Sequence, residues 1–139
     1  MSRTQPTQEG IGYLLNRASR GMTSRMTDQL RPLGLDHDMW MMIQGIRRSS
    51  GPGASAEEVA TRLQAAKGAM LDAVERLERD GWVQAVASDR FVITTKGNKA
   101  LAAIDDAAHW LVEGATSGLT HEELDALADY LKRIIDNLA

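Results

Sequence analysis

Along most of this chain apolar side chains return every three or four positions, the spacing that gathers them on one face of an α-helix. From about Gln8 to Leu30 the stripe is Ile11, Leu14, Leu15, Ala18, Met22, Met26 and Leu30, and Pro32 with Gly34 ends it. Asp36 or Asp38 caps a second helix carrying Met39, Trp40, Met42, Ile43 and Ile46, which Gly51-Pro52-Gly53 breaks. Ser55, with Glu58 three residues on, forms a capping box for a third helix bearing Val59, Ala60 and Leu63. Met70, Val74 and Leu77 mark a fourth, stopped by Gly81 where a left-handed backbone suits glycine. The pattern then changes. Trp82–Val86 and Phe91–Thr94 read as two strands around the polar turn Ala87-Ser88-Asp89-Arg90. Thr95-Lys96-Gly97 leads into a helix from about Asn98 to Glu113, with Leu101, Ile104, Ala108, Leu111 and Val112. A second capping box, Thr120 with Glu123, opens a last helix bearing Leu124, Leu127, Leu131, Ile134, Ile135 and Leu138.

Helix, turn, helix and a small hairpin, in that order, is a winged helix-turn-helix, so the expected fold class is mainly α with one small β hairpin. Such a unit can lay its second helix, here residues 66–80, in a DNA major groove. The first and last helices carry broader apolar stripes than a small domain can use. Packing the ends of two subunits together would cover them and set two reading helices about 34 Å apart, one turn of DNA, on a pseudo-palindromic site. Folding back within one subunit is the alternative. The expected organisation is a single domain over residues 1–139, with 1–34 and 98–139 as dimerisation helices and 35–97 as the DNA-binding lobe.

Size and charge refine this picture. A chain of 139 residues suffices for one core without staples, and the absence of cysteine excludes disulfides, thiolate zinc sites and thiol redox sensing. No apolar run approaches the roughly 20 residues of a membrane helix, and no signal peptide opens the chain, so a cytoplasmic protein without a membrane partner is expected. The net charge of −3 is uneven. Residues 1–35 hold five arginines and two acids, residues 36–99 nine of each sign, and residues 100–139 two bases and eight acids. The acidity therefore gathers away from the proposed reading head, although non-specific DNA affinity should be modest. No nucleophile with a base, paired catalytic carboxylates or phosphate loop is present, so neither an enzyme nor a cofactor is expected. His37 stands between Asp36 and Asp38 without the spacing of a zinc site, and no metal is expected.

Local patterns in their order resemble the multiple-antibiotic-resistance regulator (MarR) family of bacterial transcription factors. They are IGYLLNRASR in the opening helix, LRPLGLDHDMW before the second, EEVATRLQAAKGAMLDAVERLERDGWV through the helix-turn-helix, ITTKGNKAL after the wing and LTHEELDALADYLKRIIDNL at the end. The resemblance implies an obligate homodimer on double-stranded DNA, usually a repressor, with a small-molecule cleft between the dimer base and the DNA-binding lobe. Family members are commonly released from DNA by phenolic or other aromatic acids. Tyr13, Trp40, Met42 and Trp110 would line that cleft, with His37 or Arg17 meeting an acid, although methionine and tryptophan at helical spacing more often belong to a core. The chain departs from the family in two places. Its wing is short, with Asp89 directly before Arg90, and its reading helix starts Ala66-Lys67-Gly68-Ala69 without a side-chain cap and carries Asp72.

The DNA-binding candidates follow. Lys67 can meet guanine or phosphate, or remain a solvated lysine, and Gly68 and Ala69 permit close approach or contact with a thymine methyl. Ser55 and Arg62 suit phosphates. Asp89 and Arg90 form the wing tip, Lys96 flanks the helix after it, and Lys99, Arg47 and Arg48 are more distant candidates. Arg76 and Arg79 belong with neighbouring acids in surface ion pairs. A rival class is a winged-helix protein–protein module that has lost specific DNA binding, motivated by the acidic balance, Asp72 and the short wing.

Overall fold

The computed structural model describes residues 6–49 and 51–139, with side chains described from Gly10 onward. Helix α1 spans Pro6–Leu30 and passes through a single 3-10 turn, Arg31–Leu33, closed by Gly34 in the left-handed region. Helix α2 covers His37–Arg47, α3 Ala56–Leu63 and α4 Lys67–Arg79. Strands β1 (Val83–Ala87) and β2 (Arg90–Ile93) follow, then α5 (Thr95–Ala115) and α6 (His121–Leu138). The fold class expected from the apolar pattern, mainly α with a small hairpin in winged-helix order, is the one observed.

The ends of these elements show how local chemistry set them. Asp36, rather than Asp38, caps α2, its carboxylate accepting from the Met39 amide at 2.9 Å. Ser55 Oγ accepts from the Glu58 amide at 3.1 Å, but only half of the expected capping box forms, because the Glu58 carboxylate turns to Arg90 instead. Thr120 and Glu123 make the full reciprocal box. Helix α5 begins earlier than its apolar stripe suggested, because Thr94 caps it through the Gly97 amide at 2.9 Å. Helix α4 ends in paired bonds, Trp82 N–H to Leu77 carbonyl at 2.9 Å and Gly81 N–H to Glu78 carbonyl at 3.1 Å, with Gly81 at φ +86°.

One core joins α2, α3 and α4 to the lower ends of α1 and α5. Leu30, Met42, Ile43, Val59, Met70 and Leu77 are fully buried there, with Met26, Leu101 and Ile104 contributed by the flanking helices. Gly45 sits where α2 crosses α3: an added Cβ would lie 2.4 Å from Val59 Cγ1. Gly45→Ala is therefore expected to destabilise the fold by about 1–3 kcal/mol through overpacking, read as a lowered melting temperature. A melt equal to wild type would show that α3 can retreat without loss.

The hairpin is antiparallel, pairing Val83 with Ile93 and Ala85 with Phe91, and an irregularity between Ala85 and Ala87 lets it twist. Its turn is shorter than the apolar pattern suggested. Only Ser88 and Asp89 lie outside the strands, and Arg90 is the first residue of β2. On its other edge β2 pairs with Ala54 through two backbone bonds, Phe91 N–H to Ala54 at 2.9 Å and Ala54 N–H to Phe91 at 3.1 Å. This bridge locks the wing to the start of α3.

Candidate nucleic-acid interface

Helix α4 is amphipathic, and its two faces have different fates. Met70, Ala73, Val74 and Leu77 point into the core, while Lys67, Gly68, Leu71, Asp72, Glu75, Glu78 and Arg79 are exposed. Residues 66–80 therefore present a face outward instead of plugging the interior. Ala66 supplies no side-chain cap, so the first amides of α4 have no side-chain partner of their own.

The position of α4 is held by an ion-pair relay. Arg76 binds Asp36 at 2.5 Å through Nη1 and Asp72 at 3.0 Å through Nε. The cap of α2 thus also anchors α4. Partial burial of Asp36 opposes its ionisation, but the Met39 amide and the Arg76 guanidinium outweigh that and hold its carboxyl below the ordinary range. A depressed carboxyl gives stability that is complete above the ordinary value of 3.8 and is lost as pH falls through the lower, folded value. Asp36→Asn, which keeps an acceptor for the cap, is expected to flatten the acid limb of stability against pH below that point. An unchanged acid limb in thermal melts would assign it to other carboxylates.

Several of the cations expected at DNA are engaged within the protein. Arg90 is drawn down from the turn onto the Gly53 carbonyl at 3.1 Å and the Glu58 carboxylate at 2.5 Å. Arg90 closes the two-residue turn as the first residue of β2, opposite Ala87, and the Ala54–Phe91 bridge brings the start of α3 within its reach. Asp89 does lie in the turn. Lys67 pairs with Glu57 at 3.4 Å. Ser55 is buried as a helix cap, and Arg62 donates to the Gly45 carbonyl at 3.3 Å. Arg62 and Arg90 both line an open hollow around Gly51-Pro52-Gly53. Lys96 is exposed near Gly81, Gly68 is exposed and Ala69 half-buried. Arg47 forms a two-pronged pair with Asp105 at 2.9 and 2.6 Å, which raises the affinity of its guanidinium for its proton and ties α2 to α5. The sequence pattern marks Glu58 only as a capping residue and does not mark Glu57 or Asp105 at all. The apolar period says nothing about pairs 32 or 58 residues apart.

A second region gathers some of the ligand candidates. Arg17 and Trp110 line a cleft of about 540 Å³ between α1 and α5, with Met22, Leu111 and an arginine that the sequence reading passed over, Arg25. Tyr13 lies one turn away and accepts a hydrogen bond from Arg17 at 3.2 Å. Three candidates are elsewhere. Met42 is fully buried and Trp40 nearly so, both in the core of α2, because that helix packs against α1, α3 and α4 and leaves those side chains no outlet. His37 is in the first turn of α2, with Nδ1 buried and unpartnered among the described residues.

An outward helix beside a short wing, carried on a three-helix core, defines a winged helix-turn-helix protein. Comparison with solved structures makes this more specific. The transcriptional regulator PA3341 is 26% identical, with a TM-score of 0.79 over 91% of this chain and 96% of its own. A MarR transcriptional regulator from Methanosarcina mazei Go1 is 21% identical, with a TM-score of 0.83 over 94% and 96%. A MarR-family protein of Mycobacterium tuberculosis, solved in complex with DNA, is 22% identical, with a TM-score of 0.72 over 89% and 96%. The resemblance to MarR regulators thus holds at the level of the fold along nearly the whole chain. The first two of these neighbours are transcriptional regulators. No family model and no curated protein matches the sequence. No helix among the described residues is long and apolar enough to cross a membrane.

Proposed function

We propose that this protein is a dimeric DNA-binding transcriptional regulator of the MarR type, a repressor on a pseudo-palindromic operator. The outward face of α4 beside the β1–β2 wing is the observation that carries this reading. Residues 35–97 serve as the DNA-binding lobe. Residues 1–34, of which the first five lie outside the described residues, and 98–139 serve as the dimerisation helices. Support for the dimer comes from the exposed apolar side chains of those segments, among them Leu14, Trp110, Ile135 and Leu138. The cleft holding Arg17, Arg25 and Trp110 has the size of a small-ligand site and suits an aromatic acid. Such a ligand releases DNA only by binding the DNA-incompetent dimer more tightly than the competent one.

Fluorescence anisotropy against the chain's own upstream DNA, over a salt series, tests the reading. Binding preferred over random duplex supports it, and no discrimination favours the winged-helix protein–protein module. The pairing of Arg90 with Glu58 gives a sharper expectation. Glu58→Gln should free Arg90 for phosphate, tighten DNA binding severalfold and steepen the salt dependence by about 0.9 for the added phosphate contact. Unchanged affinity and slope would mean that Arg90 is only a strut between the wing and α3.

A further inference from the structure

The outward face of α4 has an unusual composition for DNA reading. Over its first nine residues it presents Lys67, Gly68, Leu71, Asp72 and Glu75, and no arginine. Two of these side chains are already engaged: Lys67 with Glu57, and Asp72 with Arg76. Gly68 has none, and a Cβ added there would meet only open space, so packing does not require glycine. Two unengaged groups remain. Leu71 is 45% exposed on a helix whose other large apolar residues, Met70, Val74 and Leu77, are buried. Glu75, one turn further on, has no hydrogen bond or ion pair among the described residues. Both line the same groove between α4 and the wing turn, alongside Ser88 and Asp89.

We infer that Leu71 and Glu75 are the sequence-reading residues of α4, Leu71 against a thymine methyl and Glu75 accepting from a cytosine amino group. This rests on the DNA-binding reading above. The chemistry limits the choice. In the major groove the C5 methyl of thymine is the apolar feature, and the cytosine N4 amino group is a donor for a carboxylate. Arg or Lys reads guanine O6 and N7, so a helix whose Lys67 is paired with Glu57 and whose Arg76 is paired with Asp36 and Asp72 does not select guanine through bidentate contacts. A carboxylate near the phosphates is unfavourable unless it accepts such a hydrogen bond. Glu78 and Arg79 are too near the C-terminal end, since a reading helix meets the bases with its N-terminal residues.

The test is selection of randomised duplexes by the full chain, followed by base and residue replacement at the selected site. Leu71 and Glu75 are exposed, so Leu71→Ala and Glu75→Gln should melt as wild type does. Replacing the critical thymine by uracil, which lacks the methyl, should weaken wild-type binding by on the order of tenfold and leave Leu71→Ala unaffected. Glu75→Gln should move the preference at one position from cytosine to adenine, which glutamine reads through N6 and N7. If no motif is selected, the DNA-binding reading fails and takes this inference with it. If a motif emerges whose base preferences survive both substitutions, this inference alone is overturned. So is it if Glu75→Gln tightens binding equally on every duplex, which would make Glu75 a repeller of phosphate.

Discussion

Replacing Leu131 and Ile135 together by aspartate is expected to yield a folded monomer that no longer holds its operator. Helix α6 has a complete capping box and a strongly one-sided apolar stripe, yet none of its residues is buried. Ile135 is 63% and Leu138 69% exposed, and the described long-range hydrogen bond from this helix to the rest of the chain runs from Gln64 Nε2 to the Leu138 carbonyl. Helices in proteins owe most of their stability to packing an apolar face, so the stripe of this 18-residue helix needs a partner surface. In the proposed dimer a second copy of this chain supplies it, together with the exposed apolar residues of α1 and α5. Each large apolar side chain buried contributes about 1.5–3 kcal/mol, and a dimer loses four of them in the double variant. At 1.4 kcal/mol per tenfold, the dimer dissociation constant should rise by at least about a thousandfold. Light scattering would show the halved mass, while circular dichroism keeps the helical signal of the core helices and loses at most that of α6. A variant that remains dimeric would place the interface elsewhere.

The second large effect lies in the core. Leu77→Ala should cost about 2–5 kcal/mol, because Leu77 is fully buried on the inner face of α4 and its loss leaves a cavity. For a domain of this size that corresponds to a fall in melting temperature on the order of 10 °C, measured at fixed protein concentration because dimerisation couples to stability. The consequence extends to DNA. Leu77 carbonyl also accepts the Trp82 amide that turns the chain into β1, so a shifted α4 moves both the reading helix and the wing. Operator affinity should fall more than non-specific affinity. A variant that melts as wild type does would mean that the core collapses around the gap at no cost.

The folding signals differ in how far along the chain they reach, and this explains which expectations held. Capping and glycine signals act over three or four residues, so Thr120 with Glu123 and the stop at Gly81 were readable as they stand. The apolar stripe starts α5 only after Gly97, because a stripe marks where a helix becomes buried, whereas the cap, Thr94, lies a turn earlier. Charge partners were harder to read. Glu58 was legible as a capping residue and proved to be the partner of Arg90, because the Ala54–Phe91 bridge brings the wing back to α3.

The amino-acid order by itself determined the succession of helices and hairpin, the caps and stops of most of them, and the outward character of residues 66–80. Each follows from interactions within a turn or two of the backbone. Tertiary structure alone decided that Arg90 leaves the wing tip for Glu58, that Asp36 anchors α4 through Arg76, and that Trp40 and Met42 are core while Trp110 is open. Those outcomes depend on distances between elements far apart in sequence, set by how the apolar faces close on one another.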